Sequence, residues 1–249
     1  MKISVLTPSF NSGNYVERAI NSVLNQNYDH WEHIIVDGQS QDNSTAIFRK
    51  YNHLKWVSEP DRGQSDAMNK AFRMCSGDIV VYLNADDEFK VGAFEAVVDA
   101  FVQSDADMIV GQLEMKFENG FSKVKNPSVN LNEIILYWPC RFPGNPVSYF
   151  YRRQVQQNIG DFPLSNHFTM DYWFLLRAYQ RCAIHKIDQI LGTFHITENN
   201  KSANVERSRR SLRATRNEFL AETKSIEYVS VVIKDQLIKA IKKISGYKR

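Results

Sequence analysis

Apolar and polar positions alternate between two periods over the first hundred residues. Four short runs rich in Ile and Val, at Ile3–Thr7, His33–Asp37, Leu54–Ser58 and Asp78–Asn84, are bounded by Pro, Gly, Asn or Asp, as buried strands are. Between them apolar residues recur at helical spacing. Tyr15, Ala19 and Val23 join Val16, Ile20 and Leu24 in one face, and Gly92–Gln103 carries Phe94, Val97, Val98 and Phe101 in another. Strand–helix alternation with short connections predicts an α/β domain whose mainly parallel sheet is flanked by helices.

From about residue 108 the rhythm changes. Met108–Met115 reads as a strand and Glu118-Asn119-Gly120-Phe121 as a turn, followed by a stretch broken by Pro127, Pro139, Pro143 and Pro146. Val147–Tyr151 reads as a strand, and a helix follows with Tyr172, Leu175, Leu176 and Tyr179 on one face. Two short strands are expected near Ala183–Ile187 and Ile190–Phe194. Nothing across 108–200 resembles a linker, so this stretch completes the same domain.

Residues 203–249 are expected to be mostly helical. Val229, Ile233, Leu237, Ala240, Ile241 and Ile244 share one sector, with Lys234, Lys239, Lys242 and Lys243 outside it. Val231, Val232 and Ile238 interrupt the polar face. Two readings stay open: a helix docked on its own domain or on a sister chain in a homodimer, and a basic helix lying on a membrane surface.

Composition narrows the class. With 249 residues, 43% hydrophobic and 24% charged, the chain can bury a sizeable core, which excludes disordered and low-complexity architectures. Cys75, Cys140 and Cys182 are an odd count without metal-ligand spacing, which points to a reducing compartment. No apolar run approaches the roughly 18 residues of a membrane span, and the apolar stretch at the N-terminus is too short for a signal peptide. The expectation is a soluble, cytoplasmic protein, peripheral at the inner membrane face if its tail binds there. Charge is uneven: residues 1–200 carry 18 Lys and Arg against 23 Asp and Glu, while 201–249 carry 13 against 5. The basic tail lacks interleaved aromatics, which argues against a nucleic-acid partner.

Ligands of open parallel sheets bind beyond the carboxyl ends of the strands. Small, polar and acidic residues collect there: Thr7-Pro8-Ser9-Phe10-Asn11, Asp37-Gly38-Gln39-Ser40, Ser58-Glu59-Pro60-Asp61-Arg62-Gly63 and Asn84-Ala85-Asp86-Asp87. The last group offers hard oxygen ligands suited to Mg²⁺ or Mn²⁺, or else caps a helix beginning near Val91. Asp37 is placed to accept a base or ribose hydrogen bond, or to serve as a turn residue before Gly38. Asp66 is read either in the same pocket or in the first turn of a helix. Neither a dinucleotide-binding fingerprint nor a P-loop is present.

TPSFN, AINSVLNQ, HIIVDGQSQDNS, SEPDRGQSDAMNKAF and GDIVVYLNADD occur in that order. Together they resemble the family 2 glycosyltransferases, nucleotide-sugar enzymes with the GT-A fold. The resemblance is dense to about residue 115, then sparser through FPGNPVSYFYRR, IGDFP and TMDYWFLLRA to about 202. It implies a GT-A-like catalytic domain over 1–202, with a nucleotide-sugar half at 1–115 and an acceptor and catalytic-base half at 116–202. The remainder, 203–249, is a basic helical extension outside the resemblance.

Carried over by position, the resemblance implies a donor pocket of Thr7, Pro8, Asp37, Asp66, Asn84 and Asp86. It implies Asp86, Asp87 and His195 as ligands of Mn²⁺ or Mg²⁺, and Asp171 as catalytic base. Asn84 stands where Asp is commoner in the metal motif, and Met170 where an acidic neighbour is common. Trp138, Phe142 and Trp173 fall in the acceptor-facing region, and Lys201 is placed to face the donor diphosphate. The implied activity is a metal-dependent, inverting hexosyl transfer from a nucleotide-diphosphate donor, expected to be a UDP-sugar. The acceptor would be a glycan or lipid-linked, in bacterial surface polysaccharide biosynthesis. The alternatives are a nucleotidyltransferase and a non-catalytic nucleotide- or glycan-binding module. The first would need a Gly-rich, basic loop after the first strand, which is lacking.

Overall fold

The computed structural model describes residues 1–136, 141–197, 200 and 205–244, excepting the side chains of 205 and 238–244. The first half alternates as its periodicity predicts: β1 (Ile3–Ser9), α1 (Val16–Leu24), β2 (Trp31–Asp37), α2 (Ser44–Phe48), β3 (Leu54–Ser58), α3 (Gln64–Met74) and β4 (Ile79–Tyr82). β1 pairs in parallel with β2 on one side, from Ile3 opposite Trp31 to Ser9 opposite Asp37, and with β4 on the other. β3 extends the parallel sheet beyond β2. The chain therefore builds outward from β1 to β3, then returns to place β4 at the opposite flank of β1. Such a reversal opens a crevice between the loops leaving β1 and β4.

The second half adds β5 (Glu88–Phe89), α4 (Ala93–Gln103), β6 (Met108–Phe117), β7 (Ser122–Lys125), α5 (Leu131–Ile135), β8 (Tyr149–Arg152), α6 (Arg153–Ile159), α7 (Met170–Arg181) and β9 (Ile184–Ile196). The sheet runs β3-β2-β1-β4-β8-β6-β9-β5, with β7 paired to β6. β8 is antiparallel to both neighbours, so the sheet is mixed and mostly parallel. One long strand replaces the two expected before residue 197. Val110 pairs with Lys186 and Gln112 with Ile190, so Ile187, Asp188 and Gln189 bulge opposite Gly111 instead of turning. A Cβ on Gly111 would lie 2.5 Å from the Leu191 side chain, so the bulge needs glycine there. The strand expected at Val147 starts at Tyr149, after a single 3₁₀ turn over Pro146–Ser148.

Strand alternation divides the core between the sheet's faces. Leu6, Val80, Tyr82, Val110 and Tyr151 pack beneath α3, α6 and α7. Ile3, Val5, Ile79, Val81 and Phe150 pack against α1 and α4 on the other face. The tail forms α8 (Val205–Thr223) and α9 (Ile226–Ile244), separated at Lys224, which adopts φ +49°.

α8, which precedes the sector on which both readings of the tail rest, docks on its own domain. Phe219 is fully buried, and the Thr215 and Thr169 hydroxyls meet at 2.8 Å. From α9, Tyr228 and Val232 reach the same core, whereas Ile226, Val229, Ile233 and Leu237 stay exposed. Among the described residues no helix is long and apolar enough to cross a membrane.

Candidate active site

A cleft of about 620 Å³ opens at the carboxyl edge of the sheet, where the strand order reverses. Pro8 and Ser9 from β1, the Asn84–Asp86 loop after β4 and Asp171 at the start of α7 all line it. The wall also includes Phe10, Gly38, Asp61, His167 and Asn200.

The loop after β4 separates two adjacent carboxylates. Asp87 is fully buried and accepts hydrogen bonds from Asn84 Nδ2 at 3.0 Å, Asn145 Nδ2 at 2.6 Å and the His195 backbone N–H at 3.1 Å. Burial, with the charge of Asp86 beside it, pushes its carboxyl up to about 7. Asp86 instead faces the cleft, where Asn200 Nδ2 donates to its Oδ2 at 3.2 Å. The Asp86 carbonyl also accepts a bond from the Arg18 guanidinium. Neither aspartate caps a helix, because α4 begins at Ala93 behind a left-handed Gly92 with no side-chain cap.

The expected metal-binding set is only partly brought together. His195 Nε2 lies 3.1 Å from Glu88 Oε1, and burial holds its imidazole below the ordinary histidine range. Among the described residues no cluster of three or more His, Cys, Asp or Glu could enclose a cation. The cleft itself offers the Asp86 carboxylate. That single ligand still suits Mg²⁺ or Mn²⁺, which bind through one or two carboxylates and fill their shells with phosphate oxygens and water.

Asn84 is gripped at both ends. Its Oδ1 accepts from Gln64 Nε2 at 3.2 Å while its amide nitrogen donates to Asp87. A carboxylate placed as this amide is would lie about 3 Å from the buried Asp87 charge. Asparagine at this position is therefore the residue the buried network accommodates.

Asp171 sits in the first turn of α7, whose N-cap is Thr169, so it does not cap the helix. The Thr169 hydroxyl is taken up by Asn166 Oδ1 at 3.0 Å and by Thr215. Asp171 is half-buried at the cleft wall, and desolvation pushes its carboxyl up to about 6 despite bonds from nearby backbone N–H groups. A carboxylate so placed is a competent proton acceptor near neutrality.

The remaining donor-pocket residues lie deeper. Asp37 is fully buried, accepting from the hydroxyls of Ser9 at 3.1 Å, Ser40 at 2.5 Å and Ser58 at 2.7 Å and from the Ser40 N–H at 2.9 Å. The Thr7 hydroxyl meets buried His33 Nε2 at 2.9 Å. Asp66 is held by Arg62, whose pairing keeps its carboxyl below the usual range. Thr7 and Asp37 thus lie in their strands and Asp66 in the first turn of α3, outside the cleft lining, while Pro8, Asn84, Asp86 and Asp171 line the cleft.

The acceptor-facing aromatics are core residues. Phe142 is 3% exposed and packs edge-on against Tyr172, while Trp173 is buried beneath the Arg177 guanidinium at 4.1 Å. Trp138 and Lys201 lie outside the described residues. The sequence reading gave no role to Phe10 and His167, both exposed at the cleft. The signal for Phe10 was an aromatic directly after a buried strand. Nothing local marked His167.

An open α/β sheet with its order reversed at a cleft is the fold of GT-A glycosyltransferases. The chain matches Glycosyl transferase family 2 over residues 4–176 and belongs to that family. It is 30% identical to an uncharacterized glycosyltransferase of Nostoc sp., over 66% of this chain and 54% of that protein. It is 35% identical to the putative teichuronic acid biosynthesis glycosyltransferase TuaG of Bacillus subtilis, over 41% of this chain and 42% of that protein. The chain thus spans about half the length of these curated relatives. The fold matches the crystal structure of S. aureus TarS 1-349 in complex with UDP-GlcNAc with a TM-score of 0.70 at 21% identity, covering 88% of this chain and 67% of that one.

Proposed function

We propose that the protein transfers a sugar from a nucleotide-diphosphate donor, a UDP-sugar, to a hydroxyl of a glycan or lipid-linked acceptor, with inversion at the anomeric carbon. The observation that carries this reading is the facing of Asp86 and Asp171 into one cleft at the strand-order reversal. TuaG's assignment to teichuronic acid biosynthesis supports a place in surface polysaccharide assembly.

Asp86 would hold Mn²⁺ or Mg²⁺ together with donor phosphate oxygens. Bound there, the ion would offset negative charge on the departing diphosphate. The chain's own residues perform the rest. Exposed Phe10 stacks the nucleobase at the end of β1. Asn84, fixed by Gln64 and Asp87, presents the loop to the donor. Asp171 takes the proton of the acceptor hydroxyl as it attacks, and a single displacement opposite the leaving group inverts the centre. Holding both substrates in one cleft makes the attack local.

Thermal shift with UDP, GDP and dTDP, each with and without Mn²⁺, tests the reading on wild type and Asp86→Ala. A ligand that binds only the folded state must stabilise it. The expected result is stabilisation by UDP that requires Mn²⁺ and disappears in Asp86→Ala. Absence of any nucleotide effect on the folded wild type would overturn the transferase reading.

Exposed Ile226, Val229, Ile233 and Leu237 on α9, within a basic tail, support peripheral contact with an anionic membrane. Ile233→Ser/Leu237→Ser should then lose co-flotation with phosphatidylglycerol vesicles. Equal flotation of both proteins would remove the membrane from this account.

A further inference from the structure

Arg207, Arg209, Arg210 and Arg213 crowd the first half of α8, and all four are exposed. Helix stability gives no reason for them. Cations near a helix N-terminus oppose the macrodipole, and like charges three or four residues apart repel. Arg209, Arg210 and Arg213 form no ion pair among the described residues. The helix carboxylates that could neutralise them, Glu218 and Glu222, are drawn to Arg177 at 3.5 and 2.5 Å. Glu206 in the first turn is the remaining acid on α8. One turn beyond Arg213, the Arg216 Nε is buried with no partner among the described residues.

The placement of this array relates it to the cleft. The Arg207 guanidinium lies 4.2 Å from the centroid of the Phe168 ring, and Phe168 lines the cleft three residues before Asp171. α8 is held to the start of α7 by the Thr215–Thr169 contact and by buried Phe219. The array is therefore fixed relative to the proposed base. It begins at the cleft mouth and continues along α8 through Arg210 and Arg213, against a body that carries more acidic than basic residues.

We propose that this face of α8 binds phosphate groups of the acceptor, so that the enzyme extends a sugar adjoining a diphosphate or phosphodiester. The inference rests on the transferase reading and names the acceptor class for that same cleft. Guanidinium groups suit the task, since their planar fork matches phosphate oxygens in pairs and stays charged at all working pH values. The acceptor sugar enters past Phe168 toward Asp171 while its phosphates lie on the arginines outside the cleft.

Decyl diphosphate and the neutral decyl glucoside are the probes, titrated with UDP and Mn²⁺ present to fill the nucleotide cleft. The full chain is compared with Arg210→Ala/Arg213→Ala, in which two exposed side chains are shortened without disturbing the core. Decyl diphosphate should bind the variant about tenfold more weakly, the order expected for charge-assisted contacts partly screened by solvent. Decyl glucoside should bind both proteins equally. Equal binding of decyl diphosphate by the two proteins overturns the proposal.

Flotation with vesicles of phosphatidylcholine and phosphatidylglycerol separates acceptor phosphates from lipid headgroups. Loss of flotation in the variant, with decyl diphosphate binding unchanged, assigns the arginines to the bilayer and overturns the proposal. The UDP thermal shift is read on the same samples. If it is present in both proteins without any arginine effect on decyl diphosphate, only the α8 proposal fails. If it is absent from wild type, the transferase reading fails instead.

Discussion

The fate of a carboxylate here depends on how many donors surround it. Asp87 meets three donors and no solvent, and ties together the β4 loop, the Asn145 segment and the end of β9. Its neighbour Asp86 faces the cleft, and Asp171, half-buried, lines the same cleft. Replacing Asp171 with Asn removes the proton acceptor but keeps the side chain's volume. The expected loss is about 10²- to 10⁴-fold in kcat with nucleotide binding unchanged. The base acts in its deprotonated form, and its carboxyl is pushed up to about 6. Acceptor-dependent kcat/KM should therefore rise with pH and level off above about 6, as initial rates across pH 4.5–8 would show. A flat profile in that range would remove Asp171 from the role. The strand-end pattern singles out Asn84, Asp86 and Asp87, and the family resemblance adds Asp171. Neither could say which adjacent aspartate is solvated, because that depends on Asn145 and His195, 58 and 108 residues away in sequence.

At the scale of elements, the junction between α7 and α8 joins the proposed base to the basic tail. Arg177 on α7 reaches Glu222 at 2.5 Å across that junction while stacking on Trp173. Phe219 supplies its apolar centre, fully buried against the domain and 6.0 Å from the Tyr228 ring. Phe219→Ala should cost about 3–5 kcal/mol, the usual range for a buried aromatic. Chemical denaturation should show a lower midpoint, and an unchanged midpoint would mean that α8 contributes little to the domain. Periodicity alone predicted these helices but not their seat, since a buried stripe looks the same whichever surface covers it. It was weakest where tertiary pairing overrode local pattern. The Asp188-Gln189 interruption reads as a turn, yet pairing with β6 carries β9 straight through it as a bulge. Glu88-Phe89 is too short to announce a strand and exists because β9 pairs with it.

Across the whole molecule, the two edges of the sheet are specialised in opposite ways. Carboxylates at the carboxyl edge line or underlie the cleft. Among the described residues the amino edge holds one buried carboxylate, Glu32 of β2, serving as a clamp. It accepts from Ser4 Oγ at 2.7 Å and Ser76 N at 2.7 Å, and pairs with Lys55 at 2.7 Å and Lys2 at 3.0 Å. One side chain thereby joins the amino ends of β1, β2 and β3 to the turn before β4. Burial disfavours ionisation of Glu32, but the bonds from Lys55, Ser4, Ser76 and Lys2 outweigh it and hold the carboxyl well below its ordinary range. The folded state then binds fewer protons than the unfolded chain as pH falls below about 4.3, so this stability is present at neutrality and lost in acid. Buried His33 acts in the same direction, because desolvation lowers its imidazole to about 3 and unfolding below about pH 6.5 releases it to take up a proton. Asp171 and Asp87 oppose this as pH falls toward about 4 from about 6 and 7, since their raised carboxyls favour the folded state. The lowered imidazoles of His53 and His195 act with His33 and offset them. The expected curve is nearly level from pH 6 down to about 4.5 and falls steeply below it. Glu32→Gln should lower stability at pH 7 and flatten the acid limb, while leaving the pH dependence of catalysis at the opposite edge unchanged. Urea midpoints for both proteins between pH 3 and 7 test this, and parallel acid limbs would show that Glu32 is not the clamp.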